Sequence, residues 1–219
     1  MTTTVPALRF DPGAHLYYLD EEHSESVTQV LHGLGIINSD HYPETARIRG
    51  VRTHTATVLF EAPGRGRTFN WESLRPIEEA IGEAIAPRVR GWEAFLNRTG
   101  WKSRIIERPN YHPIYRYCGT QDRIGRFPGD AAETVLDIKT GGPEPWWKWQ
   151  TGGYEEMERA HDGQRRHRLC VELRADGRYK MHRHEGAEDA AEFIDMLATY
   201  RAGRRLGYFQ EIPIPENAL

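Results

Sequence analysis

Two aspartates and a lysine stand where a strand pattern would bring them together. Asp122 ends the run Gly119-Thr120-Gln121-Asp122, and fifteen residues after it comes Asp137, within Val135-Leu136-Asp137-Ile138-Lys139-Thr140-Gly141. Side chains alternate along a strand, so Val135, Asp137 and Lys139 share one face and Leu136 and Ile138 the other. An aspartate beside a lysine pairs a metal ligand with a cation, which suits phosphodiester hydrolysis. A divalent ion there neutralises phosphate and lowers the pKa of water, while the lysine positions that water or stabilises developing charge. Asp137 also interrupts an apolar run, where an unpaired buried carboxylate costs several kcal/mol. A cation supplies the missing partner, and oxygen ligands of this kind fit Mg2+ or Mn2+.

Further residues capable of chemistry flank this pair. His54 closes Arg49-Gly50-Val51-Arg52-Thr53-His54, and reads either as a satisfied helix histidine or as a metal ligand. Gln150 and Tyr154 fall at i and i+4 and so share a helix face. They are either an amide and a ring at a core edge or groups aimed at the reacting centre. Gly152 and Gly153 between them weaken a helix by about 1 kcal/mol each, which implies close approach by backbone or by DNA. Glu107 is as consistent with a surface strand as with a metal site; Glu133 and Glu144 are weaker candidates. Trp146, Trp147 and Trp149 either stack on unpaired bases or anchor their helix.

The elements that must position these groups begin with two short extended segments over 8–20, around Pro12-Gly13. Ser26 or Thr28 caps a short helix that Gly35 ends. A helix over about 43–61 carries His54 and is broken by 63–67. Ile77, Ile81, Ile85, Val89, Trp92 and Phe95 predict a helix over about 76–98, kinked or interrupted at Pro87. Three strands follow, at about 103–108, 114–127 and 133–140. Next come a helix over about 145–160 and a hairpin, 167–174 with 179–184, turning at Asp176-Gly177. A last helix spans about 187–206, ahead of an extended tail near 212–216. This order predicts an α/β (α+β-like) fold with a central mixed β-sheet flanked by helices.

The 219 residues suit one well-cored domain over 1–219, its core motifs at about 43–184. With 38% hydrophobic and 28% charged residues the chain is not of the disordered class. No apolar run approaches the ~20 residues that span a bilayer. The opening Met1-Thr2-Thr3-Thr4-Val5-Pro6 lacks a basic segment ahead of an apolar one, so a cytoplasmic protein is expected. A net charge of −3 excludes a wholly basic nucleic-acid coat, although carboxylates awaiting metal would lower the charge of a nuclease. Arg88 and Arg90, Arg165 to Arg168, and Arg201, Arg204 and Arg205 are either solvated faces or phosphate contacts. Cys118 and Cys170 have no neighbours at zinc-site spacing and are expected as buried free thiols.

Four of these motifs, in this order, resemble those of the PD-(D/E)xK nuclease superfamily, most closely its RecB-like and phage-exonuclease branch. They are the glycine-to-histidine run at Gly50 and His54, the acidic motif at Asp122, the D-x-K core Asp137-Ile138-Lys139, and Gln150-Thr151-Gly152-Gly153-Tyr154 as the Q-x-x-x-Y motif. The opening with His15, Tyr17 and Ser26-Val27-Thr28-Gln29-Val30-Leu31 is similar to the start of phage-encoded members. The resemblance covers about residues 8–160. It implies a restriction-endonuclease-like core and a metal held by His54, Asp122, Asp137 and the carbonyl of Ile138. It implies Lys139, Gln150 and Tyr154 as catalytic partners and Mg2+ or Mn2+ as cofactor. The activity it implies is that of a DNA exonuclease in phage or bacterial recombination or repair, acting in the host cytoplasm if phage-encoded. An endonuclease, or an inactive DNA-binding relative, is the alternative within the same fold. Implied partners are DNA, as a linear duplex end or single strand, and a single-strand annealing or binding protein. Some relatives form closed rings, so a homo-oligomer is open, and no membrane is involved.

Overall fold

The computed structural model describes residues 5–38, 43–61 and 75–209. The expected helix break at 63–67 and the tail at 212–216 lie outside the described residues. Strands β1 (Leu8–Asp11), β2 (Leu16–Leu19) and β3 (Glu22–Ser24) form a small antiparallel sheet. Sequence pattern predicts the first two and not β3, whose Glu22-His23-Ser24 carries no apolar alternation. Ser26 is the cap of α1 (Val27–Gly33). Its hydroxyl accepts from Gln29 N–H while the Gln29 amide oxygen accepts from Ser26 N–H, a reciprocal capping box. Cys118 N–H donates to Glu25 O at 2.8 Å, which ties this unit to the main sheet.

The main sheet runs β4-β5-β6-β7-β8 in space, with β4 Lys102–Tyr111, β5 Cys118–Arg126, β6 Thr134–Lys139, β7 His167–Leu173 and β8 Tyr179–Arg183. All neighbours are antiparallel except β6 and β7, which are parallel. The parallel step requires a crossover, and α4 (Trp147–Asp162) supplies it. The expected strand at 114–127 starts only at Cys118. Before it the chain turns, with His112 Nδ1 accepting from the N–H groups of Ile114 and Tyr115.

The predicted alternation along β6 is what divides the core. Val135 packs with Ile105 and Ile124 against α1, α4 and α5 (Asp189–Arg205) through Val30, Met157 and Phe193. Leu136 and Ile138 point the other way and meet Trp92 and Phe95 of α3 (Arg75–Thr99). α2 (Glu44–Glu61) lies beside α3, joined through Ala56, Phe60, Ile85 and Val89. The mixed sheet is thus flanked by helices on both faces. Of the two outcomes expected at Pro87, a kink or an interruption, the interruption does not occur, and α3 runs through it. Packing of Ile85 and Val89 on α2 and of Trp92 and Phe95 on the sheet outweighs the one lost backbone bond.

Two glycine positions explain close approaches. A Cβ at Gly152 would fall 3.0 Å from the Asp189 backbone, and one at Gly153 would fall 2.9 Å from the Phe193 ring. The two expected readings, backbone or DNA, resolve to α4 seated directly on α5. Likewise a Cβ at Gly119 would stand 2.6 Å from the Tyr154 ring, so Gly119 is what lets that tyrosine lie flat on β5.

Candidate metal centre and active site

β5 and β6 deliver Asp122 and Asp137 side by side, as the sequence predicts, and α2 brings His54 over them. His54 Nδ1 lies 3.3 Å from Asp122 Oδ1 and 3.5 Å from Glu107 Oε1. The other Asp122 oxygen accepts the N–H of Ile138 at 2.6 Å, which locks the carboxylate between two strands. His54, Glu107 and Asp122 offer one ligand atom each within 4.8 Å of one another. These groups can hold a divalent cation.

Glu107 joins the site at a cost in backbone conformation. Its φ is +46°, in the left-handed region that L-residues avoid. It sits opposite Asp122, between the registered pairs Ile106–Arg123 and Arg108–Gln121. Arg123, fully buried, holds the carboxylate from behind. It donates to Glu107 Oε1 at 3.3 Å, to Glu61 Oε1 at 2.7 Å, to Thr57 Oγ1 at 3.0 Å and to its neighbour's carbonyl, Asp122 O, at 2.7 Å. In the sequence Arg123 looks like any strand charge, and no signal there marks it.

Asp137 and Lys139 form the second half of the site. Lys139 Nζ lies 2.6 Å from Asp137 Oδ2 and donates to Gln150 Oε1 at 2.5 Å. Asp137 is buried, and its Oδ2 is the oxygen that faces the Lys139 ammonium. Gln150 Nε2 reaches Tyr154 Oη at 3.3 Å and Thr28 Oγ1 at 3.5 Å. The predicted Gln150–Tyr154 face therefore points at Lys139. Carboxylates are hard donors and an imidazole is a borderline one, a combination that fits a divalent metal.

Electrostatics agree with that fit. Burial works to lower the His54 pKa, yet Asp122 and Glu107 together hold it well above the usual imidazole value. The imidazolium balances the charge of these two carboxylates. Burial also works against charge on Lys139, and Asp137 more than offsets it, so the amine stays an ammonium. Burial keeps the Tyr154 phenol neutral. A metal bound here must displace the His54 proton. Apparent affinity should therefore fall as pH is lowered, and binding should release a proton. Calorimetry in buffers of different ionisation enthalpy checks this, and pH-independent binding without proton release would remove His54 from the ligand set.

These groups line one cavity of about 920 Å³, shared with His15, Thr28, Arg49, Glu144 and Trp146. Ile138 also lines it. The tryptophans divide. Trp147 is buried and edge-on to His182, and Trp149 donates to Glu192, so both anchor α4. Trp146 and Trp147 both line the cavity, with Lys139 Nζ 4.6 Å from the Trp146 ring centroid and 5.8 Å from that of Trp147. Glu133 is drawn away from the site by Arg104 and Arg166. Several of the basic positions are internal ion pairs and so neither solvated faces nor phosphate contacts: Arg166 with Asp162, Arg168 with Asp189, and Arg201 with Glu25. Cys118 and Cys170 are buried free thiols, as expected.

The solved structure of a candidate exonuclease from Eubacterium rectale is similar over 87% of this chain and 78% of that chain, with 11% identity and a TM-score of 0.47. No protein-family model matches the sequence, and no curated protein matches it. Among the described residues no helix is long and apolar enough to cross a membrane.

Proposed function

We propose that this chain is a PD-(D/E)xK-type deoxyribonuclease that hydrolyses DNA phosphodiester bonds with Mg2+ or Mn2+. One observation carries the reading: His54, Glu107 and Asp122 converge beside the Asp137–Lys139 pair on the wall of one cavity. In this reading His54, Glu107, Asp122, Asp137 and the Ile138 carbonyl hold the ion. When bound, the ion supplies charge neutralisation at phosphate and a lowered pKa for water. Lys139, kept as an ammonium, stabilises charge developing on the phosphoryl oxygens rather than acting as a base. Gln150 fixes the Lys139 amine through its amide oxygen, and Tyr154 in turn fixes Gln150. Among these groups no serine or cysteine sits beside a base, so hydrolysis proceeds without a covalent enzyme intermediate.

Within that activity we take the enzyme to be an exonuclease of phage or bacterial recombination or repair, loading at a DNA end and working beside a single-strand annealing or binding protein. Support comes from the phage-type opening, whose Thr28 reaches Gln150, and from Trp146 at the cavity. Purified protein with Mg2+ or Mn2+ should degrade end-labelled linear duplex progressively and leave covalently closed circles intact. Trp146→Ala should slow degradation by about tenfold at unchanged melting temperature, the effect of losing one stacking contact of ~1–3 kcal/mol. Rapid linearisation of closed circles would replace the exonuclease by an endonuclease of the same chemistry.

A further inference from the structure

At the Thr140 end of β6, just past Lys139, two arginines stand together without a carboxylate. Arg88 of α3 is only 8% exposed, and two of its donors reach backbone carbonyls, Nη1 to Ala84 O at 2.5 Å and Nε to Thr140 O at 3.4 Å. Arg49 of α2 lines the cavity with Thr140, Gly141 and Gly142, and its Nε is buried without a hydrogen-bond partner. A Cβ at Gly50 would lie 3.7 Å from Thr140 Oγ1, so α2 runs close enough to hold Arg49 against this end of the strand. Among the described residues neither guanidinium forms an ion pair. Burial lowers the Arg88 pKa, and the nearby Arg49 charge lowers it further. A guanidinium at the cavity wall with a second one buried close to it, neither neutralised, is unfavourable for the fold and well suited to an anion, because planar donors match phosphate oxygens.

We propose that Arg49, backed by Arg88, forms a subsite for a phosphate group of the substrate strand other than the one being cleaved. The proposal rests on the nuclease reading for the identity of its ligand. Arg49 lines the same cavity as Asp137, Lys139 and Thr140. A strand anchored there would have its neighbouring phosphate held near the Asp137–Lys139 pair. The phosphate is either a terminal monoester or an internal diester, and both present the same oxygens.

The experiment is fluorescence anisotropy with labelled oligonucleotides in EDTA, which measures binding without turnover, run beside a cleavage assay of the wild-type protein with Mn2+. Arg49→Gln should weaken binding about tenfold and reduce the slope of log affinity against log salt by about 1, the loss of one phosphate contact. Arg49→Lys should restore the slope. The Arg49→Gln melting temperature should not fall, because the change relieves repulsion with Arg88; a purely structural arginine would lower it. Oligonucleotides with a 5′-phosphate, a 3′-phosphate or only hydroxyl ends separate the sources. A loss confined to one phosphorylated end assigns a terminal monoester, and an equal loss on all three assigns an internal diester. Wild-type cleavage together with unchanged Arg49→Gln affinity and slope would overturn the subsite and leave the nuclease reading standing. A wild-type protein that neither cleaves nor binds would overturn both.

Discussion

Asp122→Ala and Asp137→Asn should each lower cleavage by at least about a thousandfold, and yet move the metal-free melting temperature in opposite directions. The loss of activity has one origin, since each change removes a carboxylate from the proposed ion, a contribution of several kcal/mol. Stability separates them. Asp122 accepts the Ile138 N–H and faces the His54 imidazolium. Its removal leaves the buried Ile138 N–H without its acceptor and the His54 imidazolium with Glu107 alone, at roughly 2–3 kcal/mol. That is a fall of about 5–10 °C for a domain of this size. Asp137 is the reverse case. Burial pushes its carboxyl up to about 6 from 3.8, against the pull of Lys139 and with help from the Asp122 charge.

A folded pKa above the unfolded one means that the folded state binds the extra proton between those two values. Stability therefore falls as pH rises from about 4 to about 6, and the penalty is complete above that window. Asn carries no such penalty. Asp137→Asn should therefore melt above wild type at pH 7, by a margin reduced because the Lys139 ammonium loses its carboxylate, and together with it at pH 4. Thermal denaturation of both variants in EDTA across pH checks this. A fall in melting temperature for Asp137→Asn at pH 7 would show that its carboxylate is structural.

Lys139→Met and His54→Ala should divide the work of the site between them. Lys139 touches Asp137 and Gln150 and is not part of the convergent ligand set. Its loss should leave Mn2+ affinity within a few-fold of wild type and slow cleavage by about a hundredfold or more at every metal concentration. His54 is a member of the ligand set. His54→Ala should weaken metal binding and recover part of its activity as Mn2+ is raised. Metal titrations of cleavage give the answer. Superimposable curves for the two variants, or full rescue of Lys139→Met by metal, would refute the separation.

What was readable in advance follows from how local each signal is. The alternation through Val135, Leu136, Asp137, Ile138 and Lys139 fixes which residues face which helix layer, and the structure keeps that division. The spacing of Gln150 and Tyr154 fixes their shared face, whereas the choice between Ser26 and Thr28 as the cap of α1 is decided by the Ser26–Gln29 capping box in the structure. Glu107 could not be assigned from spacing. Its place opposite Asp122 depends on the β4–β5 register and on a positive φ at a non-glycine residue. Arg123 was equally hidden, because a buried arginine in a strand looks like a solvated one until Glu61 and Thr57 arrive from α2. The tryptophan cluster was ambiguous for a similar reason: only the packing of Trp147 on His182 and of Trp149 on Glu192 sets them apart from Trp146. Pro87 shows the limit of propensity, since tertiary packing carries α3 through it.

The most direct test of the central claim is release of acid-soluble nucleotides from end-labelled linear DNA by purified protein, with Mn2+ or Mg2+, with EDTA, and with Asp137→Asn in parallel. The account predicts release with metal, none in EDTA, and none from Asp137→Asn despite its intact or higher melting temperature. Release that persists in EDTA, equal release by Asp137→Asn, or no release by wild-type protein saturated with either metal would contradict it.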